Sequence, residues 1–152
     1  MMYVVLCRQT AKHFSGAKHF VTFIDDYSRC CAVYFLRHKH EVFEKFQEFE
    51  ARVMNEIGLK IGALCTDNGG EYMSEEFQTY LKSKGIHHQL TVPHSPQQNG
   101  VVDRMNRMLV ESACSMIAHA GVSNGYWAEA VATAIYQESY SVKCSEAQKD
   151  TC

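Results

Sequence analysis

Apolar residues follow two rhythms along this chain, one of period two and one near 3.6, and the places where one gives way to the other outline its elements. His19 to Asp25 and Cys30 to Leu36 are aromatic and β-branched runs joined by Asp26-Tyr27-Ser28-Arg29, a pattern that predicts two strands around a hairpin turn. Val4 to Cys7 is too short for its period to decide between strand and helix, but before a hairpin it completes a three-stranded meander. From Glu41 to Ile57 the residues Val42, Phe43, Phe46, Phe49, Val53 and Met54 recur at helical spacing, and Gly58 is placed to cap the helix. Lys60 to Cys65 reads as a strand running to Asp67 and the turn Asn68-Gly69-Gly70. Ser74 opens a second helix with acids in its first turn, and Gly85 ends it. His87 to Val92 predicts a fifth strand, Pro93 to Gly100 a loop, Val101 to Ala120 a long helix stopped by Gly121, and Tyr126 to Tyr136 a last helix. Strands in a meander followed by alternating helices and strands predict an α/β domain, a mixed five-stranded sheet flanked by helices. Residues 138–152 are polar and weakly periodic, which divides the chain into a core at 1–137, its first strand altered or truncated, and a tail outside that core.

Composition narrows the class without naming it. A chain of 152 residues with 46% hydrophobic and 21% charged content fits one folded domain with a single sizeable core. No apolar run approaches the ~20 residues that span a bilayer, and Met1 to Leu6 lacks the basic start of a signal peptide, so a soluble, intracellular protein with no membrane partner is expected. Seven cysteines, an odd number without Cys-x-x-Cys spacing, read as reduced thiols. The formal net charge is −2, and between Lys60 and Ala120 five Lys and Arg face six Asp and Glu. A free-standing nucleic-acid binder usually carries a strong basic excess, so any attraction for phosphate must come from local cations or bound metal.

Two short stretches carry candidate chemistry. Thr66-Asp67-Asn68-Gly69-Gly70-Glu71-Tyr72 sets a carboxylate just past a strand, before glycines that leave backbone open to a ligand, and hard divalent ions take such oxygen donors. The same residues are good turn chemistry, so Asp67 alone could be a turn cap. The second stretch runs from Pro93 through Gln97, Gln98, Asn99 and Gly100 to Asp103, Arg104, Asn106 and Arg107, and thirty-five residues separate Asp67 from Asp103. Read locally, Asp103 is a first-turn acid on the long helix, the amides belong to a polar loop, and Arg107 pairs with Glu111 one turn on.

In wording and spacing these stretches, with Ser15 to Phe20 before them, resemble the integrase core of copia-type retrotransposons, within the retroviral integrase superfamily. The resemblance covers roughly Ser15 to Tyr136. It implies an RNase H-like fold and a polynucleotidyl transferase that joins DNA 3′ ends to target phosphodiesters. It also implies Mg²⁺ or Mn²⁺ bound as an ion pair about 3.5–4 Å apart by Asp67, Asp103 and a first aspartate. Its partners would be double-stranded DNA, both element ends and target, and further copies of the chain, in the nucleus or a cytoplasmic particle. Gln97, Gln98, Asn99, Gly100, Arg104 and Arg107 would contact the DNA. This chain departs from the pattern twice. Asp103 stands where the family has glutamate, roughly 1.3–1.5 Å shorter in reach, and a ~1 Å displacement at a reacting centre can cost on the order of 100-fold in rate. The first aspartate should fall at Val4 or Val5, and no Asp or Glu precedes Asp25. The expectation is therefore an impaired integrase core that binds metal weakly. The alternative is a non-catalytic remnant that contacts DNA or associates with itself.

Overall fold

The computed structural model describes residues 1–8, 14–28, 30–91 and 96–137. Five strands form one sheet in the order β3-β2-β1-β4-β5. The meander is β1 (Met2–Arg8), β2 (His19–Asp25) and β3 (Cys31–Leu36), paired antiparallel, while β4 (Ala63–Thr66) and β5 (His87–Leu90) join parallel on the far side of β1. The expected mixed sheet is thus present, with β1 at its centre. Parallel neighbours need crossovers, and two helices supply them: α1 (Val42–Ile57) between β3 and β4, and α2 (Glu75–Lys84) between β4 and β5. The helix α3 (Pro96–Ala120) and a shorter helix α4 at 127–137 follow.

Alternation along β1 divides its side chains between the two faces of the sheet. Met2, Val4 and Leu6 join the core under α1 and α2, with Val21, Phe23, Phe46, Phe49, Leu64 and Phe77. Tyr3, Val5 and Cys7 face the other way, toward α3 and α4, where Met105, Leu109 and Trp127 lie. Local signals end the helices where the sequence places them. Gly58 and Gly85 adopt left-handed backbone at φ 73° and 71°, and the Ser74 hydroxyl accepts a hydrogen bond from the Phe77 amide.

One boundary differs from the expectation. The stretch from Pro96 to Gly100 is not loop but the opening of α3. Proline at a helix start loses nothing, since its missing N–H would have had no partner there and its fixed φ is already helical. Asp103 consequently sits seven residues beyond Pro96, about two turns in, rather than in the first turn. The helix-dipole role open to a first-turn acid does not reach that far.

Candidate active site at the end of strand β4

Asp67 follows β4 directly, and its exposed carboxylate accepts a hydrogen bond from the Gly69 amide at 2.9 Å. Glycine leaves both acids their room: a β-carbon at position 69 would stand 2.9 Å from that same carboxylate and 2.8 Å from the Glu71 carboxylate, and these side-chain ends would have to shift to admit it.

Behind the loop a chain of hydrogen bonds fixes its course. The Gln78 amide donates both to the Tyr72 carbonyl, at 2.8 Å, and to His88 Nδ1, at 2.7 Å. With Nδ1 accepting, the ring proton of neutral His88 resides on Nε2 and is given to the Thr66 hydroxyl at 2.8 Å, which in turn donates to the Asp67 carbonyl at 3.0 Å. Burial holds the His88 pKa below its ordinary value, with a smaller push from neighbouring His87. The neutral ring is the form this chain needs, because a proton on Nδ1 would face the Gln78 amide donor. The sequence presents His87-His88 only as the opening of a strand. The better signal is one polar residue, His88, between apolar Ile86 and Leu90 at alternate positions, where its ring nitrogens must find partners.

Tyr72 is fully buried among aromatic rings, and its hydroxyl has no hydrogen-bond partner among the described residues. Burial first, then the negative charges of Asp67 and Glu71, push its pKa far upward. The phenol is locked in its neutral form beside the acids.

Register sets the opposite wall. Tyr3 pairs with Cys65, and continuing the parallel ladder by two residues brings Val5 level with Asp67 on the α3 side. The alternatives Val4 and Val5 thereby separate: Val4 is buried in the α1 and α2 core, whereas Val5 packs with Tyr3, Ile24 and Met105. Next along α3, buried Asn106 donates its amide to the Cys7 sulfur, tying the helix to β1. Asp25 lies at the other end of the sheet, opposite Met2, and its carboxylate accepts from the Ser28 amide and hydroxyl at 2.9 and 2.8 Å. Burial alone would raise its pKa, but the Ser28 hydrogen bonds prevail and lower it.

The other candidate residues are distributed as follows. Gly100, Arg104 and Arg107 lie on α3, both arginines exposed, and no ion pair joins Arg107 to Glu111 among the described residues. Gln97, Gln98, Asn99 and Asp103 belong to the same helix, but their side chains lie outside the described residues, as do Pro93, His94, Ser95 and the tail from 138. Among the described residues no three His, Cys, Asp or Glu side chains converge as a metal cage, and the five described cysteines are free thiols. A two-ion centre needs oxygen on the β1 wall as well as at Asp67, and Val5 offers hydrocarbon there. On that wall the residues present do not fit the ion pair.

β1 continues for four residues, Val5 to Arg8, past the level at which β4 ends, so the sheet parts beside Asp67. β1 leads on to β2 and β4 to β5, and these lie on opposite sides of the β1–β4 pair. In open α/β sheets ligands bind beyond the carboxyl ends of the strands at such a reversal.

The sheet order and the helix laid across β1 are those of the RNase H-like architecture. The chain matches the family described as "Integrase core domain" over residues 7–96 and belongs to that family. It is 53% identical over 121 residues to a retrovirus-related Pol polyprotein from the transposon TNT 1-94 of Nicotiana tabacum, which covers 80% of this chain and 9% of the relative. The Pol polyprotein of transposon RE2 from Arabidopsis thaliana is 35% identical over 78% of this chain and 8% of its own length. The chain therefore spans about a tenth of these curated relatives. Among solved structures, a chain of the simian T-cell lymphotropic virus intasome in complex with PP2A regulatory subunit B56 gamma superposes with a TM-score of 0.68. That match has 19% identity over 89% of this chain and 46% of the other, a likeness of fold. The copia-type resemblance and the RNase H-like fold both stand. No helix among the described residues is long and apolar enough to cross a membrane.

Proposed function

We infer that this chain is the DNA-processing core of a retrotransposon Pol polyprotein, with residues 1–137 as the core and 138–152 outside it, and that its strand-transfer chemistry is impaired. Integrase cores as a family use divalent metal ions, here Mg²⁺ or Mn²⁺. The reaction of this class is in-line displacement at phosphorus: a water or 3′-hydroxyl oxygen forms the new P–O bond as the old ester oxygen departs. The observation that carries the inference is Val5, level with Asp67 on the neighbouring strand by continuation of the Tyr3–Cys65 register. In this reading Asp67 is a metal ligand, and Val5 leaves the facing wall without a charge. Asp103, on α3, is the remaining carboxylate of the set, one methylene short of the family's glutamate. Gln97, Gln98, Asn99, Gly100, Arg104 and Arg107 form the DNA-contacting surface in this reading. Duplex DNA and further copies of the chain are the partners, in the nucleus or a cytoplasmic particle.

Calorimetric titration of Mn²⁺ into the wild-type chain, Val5→Asp and Val5→Asp with Asp103→Glu tests the reading, followed by strand transfer on duplexes that mimic element ends. Weak metal binding and little joining by wild type, with both rising through the series, is the expected result. Joining by wild type at the rate of the double variant would overturn the impairment. The second reading, a remnant that only contacts DNA or itself, also draws on Val5; it is favoured if the double variant binds metal yet joins nothing.

A further inference from the structure

A cluster of cations gathers at the strand ends beside the Asp67 loop. Arg8 ends β1, its register partner His19 begins β2, and Leu36, opposite His19, ends β3 just before Arg37. The Gly16 turn, at φ 87°, passes over Arg37, and the Lys18 amide is pinned to the Leu36 carbonyl at 2.9 Å. Together Arg8, Lys18, Arg37 and Lys39, with the stacked imidazoles of His38 and His40, line a cavity of about 590 Å³ whose acid is Glu71. The nearby Glu41 carboxylate is engaged by the Arg37 and His38 amides, both at 3.1 Å. A chain of net charge −2 thus gathers four full cations on one cleft.

The charge of the cleft suits an anion. Arg8, Lys18, Arg37 and Lys39 are exposed and form no ion pair among the described residues, and Glu71 is the one acid among the residues that line the cavity, so three of the four positive charges go unmatched there. His19 lines the same cavity, 9% exposed. The shape suits a chain of phosphates better than a single one. The cations come from the ends of three adjacent strands, at ~4.8 Å per strand a row about 10 Å wide. Position ties the cleft to the site: it opens at the carboxyl end of β1, and Glu71, four residues after Asp67, forms its wall.

We propose that this cleft is a second DNA contact, a track in which Arg8, Lys18, Arg37 and Lys39 hold successive phosphates of one duplex strand. The proposal rests on the DNA-processing reading and adds a surface separate from the α3 residues. Phosphate contacts of this kind carry no sequence information, so the track would fix where a duplex lies without selecting its sequence.

Fluorescence anisotropy with a labelled duplex, over a range of salt, tests the track in wild type, in Lys18→Ala/Arg37→Ala/Lys39→Ala and in Lys60→Ala/Lys82→Ala, which removes exposed cations elsewhere. Each lost phosphate contact lowers the slope of log affinity against log salt by about 0.9, so the triple variant should lose about 2 to 3 from the slope and on the order of 10- to 100-fold in affinity. The control should stay within about twofold of wild type, losing no contact. An unchanged slope in the triple variant overturns the track while leaving DNA binding by the chain intact. Failure of wild type to bind duplex even at low salt instead sinks the DNA-processing reading, and the track with it. Inorganic phosphate is titrated separately: if it raises the melting temperature of wild type but not of the triple variant, and duplex affinity is the same in both, the cleft holds a small anion and the proposal falls. Lys18→Glu and Lys39→Glu, each a single exposed change, give the same readout should the triple variant fold poorly.

Discussion

The two faces of the sheet are built on different terms. Under α1 and α2 the packing is almost entirely aromatic and aliphatic: Phe23 stacks on Phe49 with centroids 4.6 Å apart, Phe46 lies against Phe23 and Phe77, and glycine or serine caps finish the helices. Under α3 the packing is interrupted. Asn106 is buried with its carbonyl oxygen unpartnered among the described residues, and a sulfur and a valine occupy the strand facing it. Both faces bury apolar clusters that stabilise the fold, Phe20, Leu109 and Trp127 among them on the α3 side, and that side also keeps the Asn106 amide buried. The lesson is that the degenerate position lies on the side with less to lose. Valine at position 5 joins an apolar cluster that tolerates it, while the supports of Asp67 belong to the better-packed side.

Phe46→Ala should produce the largest effect, a loss of about 3–5 kcal/mol in denaturant unfolding, because the cavity would open inside the aromatic stack. A loss under ~1 kcal/mol would show that the α1 and α2 face is less densely packed than its ring contacts imply. Val5→Asp should cost less, about 1–3 kcal/mol without divalent ions, since a carboxylate replaces a half-buried alkyl group. Mn²⁺ should raise its melting temperature and leave that of wild type little changed; equal shifts in both would mean that Val5 does not face the metal position. Ser74→Ala should remove roughly 1 kcal/mol by leaving the Phe77 amide without its cap, measured the same way. The smallest effect concerns pH. His88 has its pKa lowered in the fold, so folding favours the neutral ring. The stability it contributes is complete above the ordinary imidazole value near 6.5 and is lost as pH falls through the lowered folded value. Denaturant midpoints of wild type and His88→Gln should therefore converge on acidification through that window. A constant difference would exclude the Thr66-His88-Gln78 chain as the support of Asp67.

The elements most readable from sequence were those whose signals are local. Aromatic and β-branched runs gave β2 and β3, and Gly58, Gly85 and Gly121 marked helix ends, each with left-handed backbone. Pro96 to Gly100 misled because proline, glutamine, asparagine and glycine are shared by loops and helix starts, and only tertiary packing of α3 decides between them. Of the candidate site, Asp67 and the α3 cations were legible as motif words. The hydrogen-bond chain through residues 66, 78 and 88 was not, because its members come from a strand, a helix and a second strand with no common period. The basic cleft was hidden for the same reason. Arg8, Lys18, Arg37 and Lys39 are scattered in sequence, and antiparallel register alone makes them neighbours.

The unequal length of β1 and β4 has a mechanical consequence. From Met2 to about Val4 the central strand is gripped from both sides, and its amides exchange with solvent only when the whole sheet opens. From Val5 to Arg8 its ladder partner is β2 alone, with Asn106 of α3 bonded to Cys7 from the side, and every second amide points into the gap beside Asp67. Bending that overhang changes the width of the gap without breaking a ladder bond between β1 and β4. The end of β1 that carries Val5 and Arg8 therefore has one ladder partner where its beginning has two.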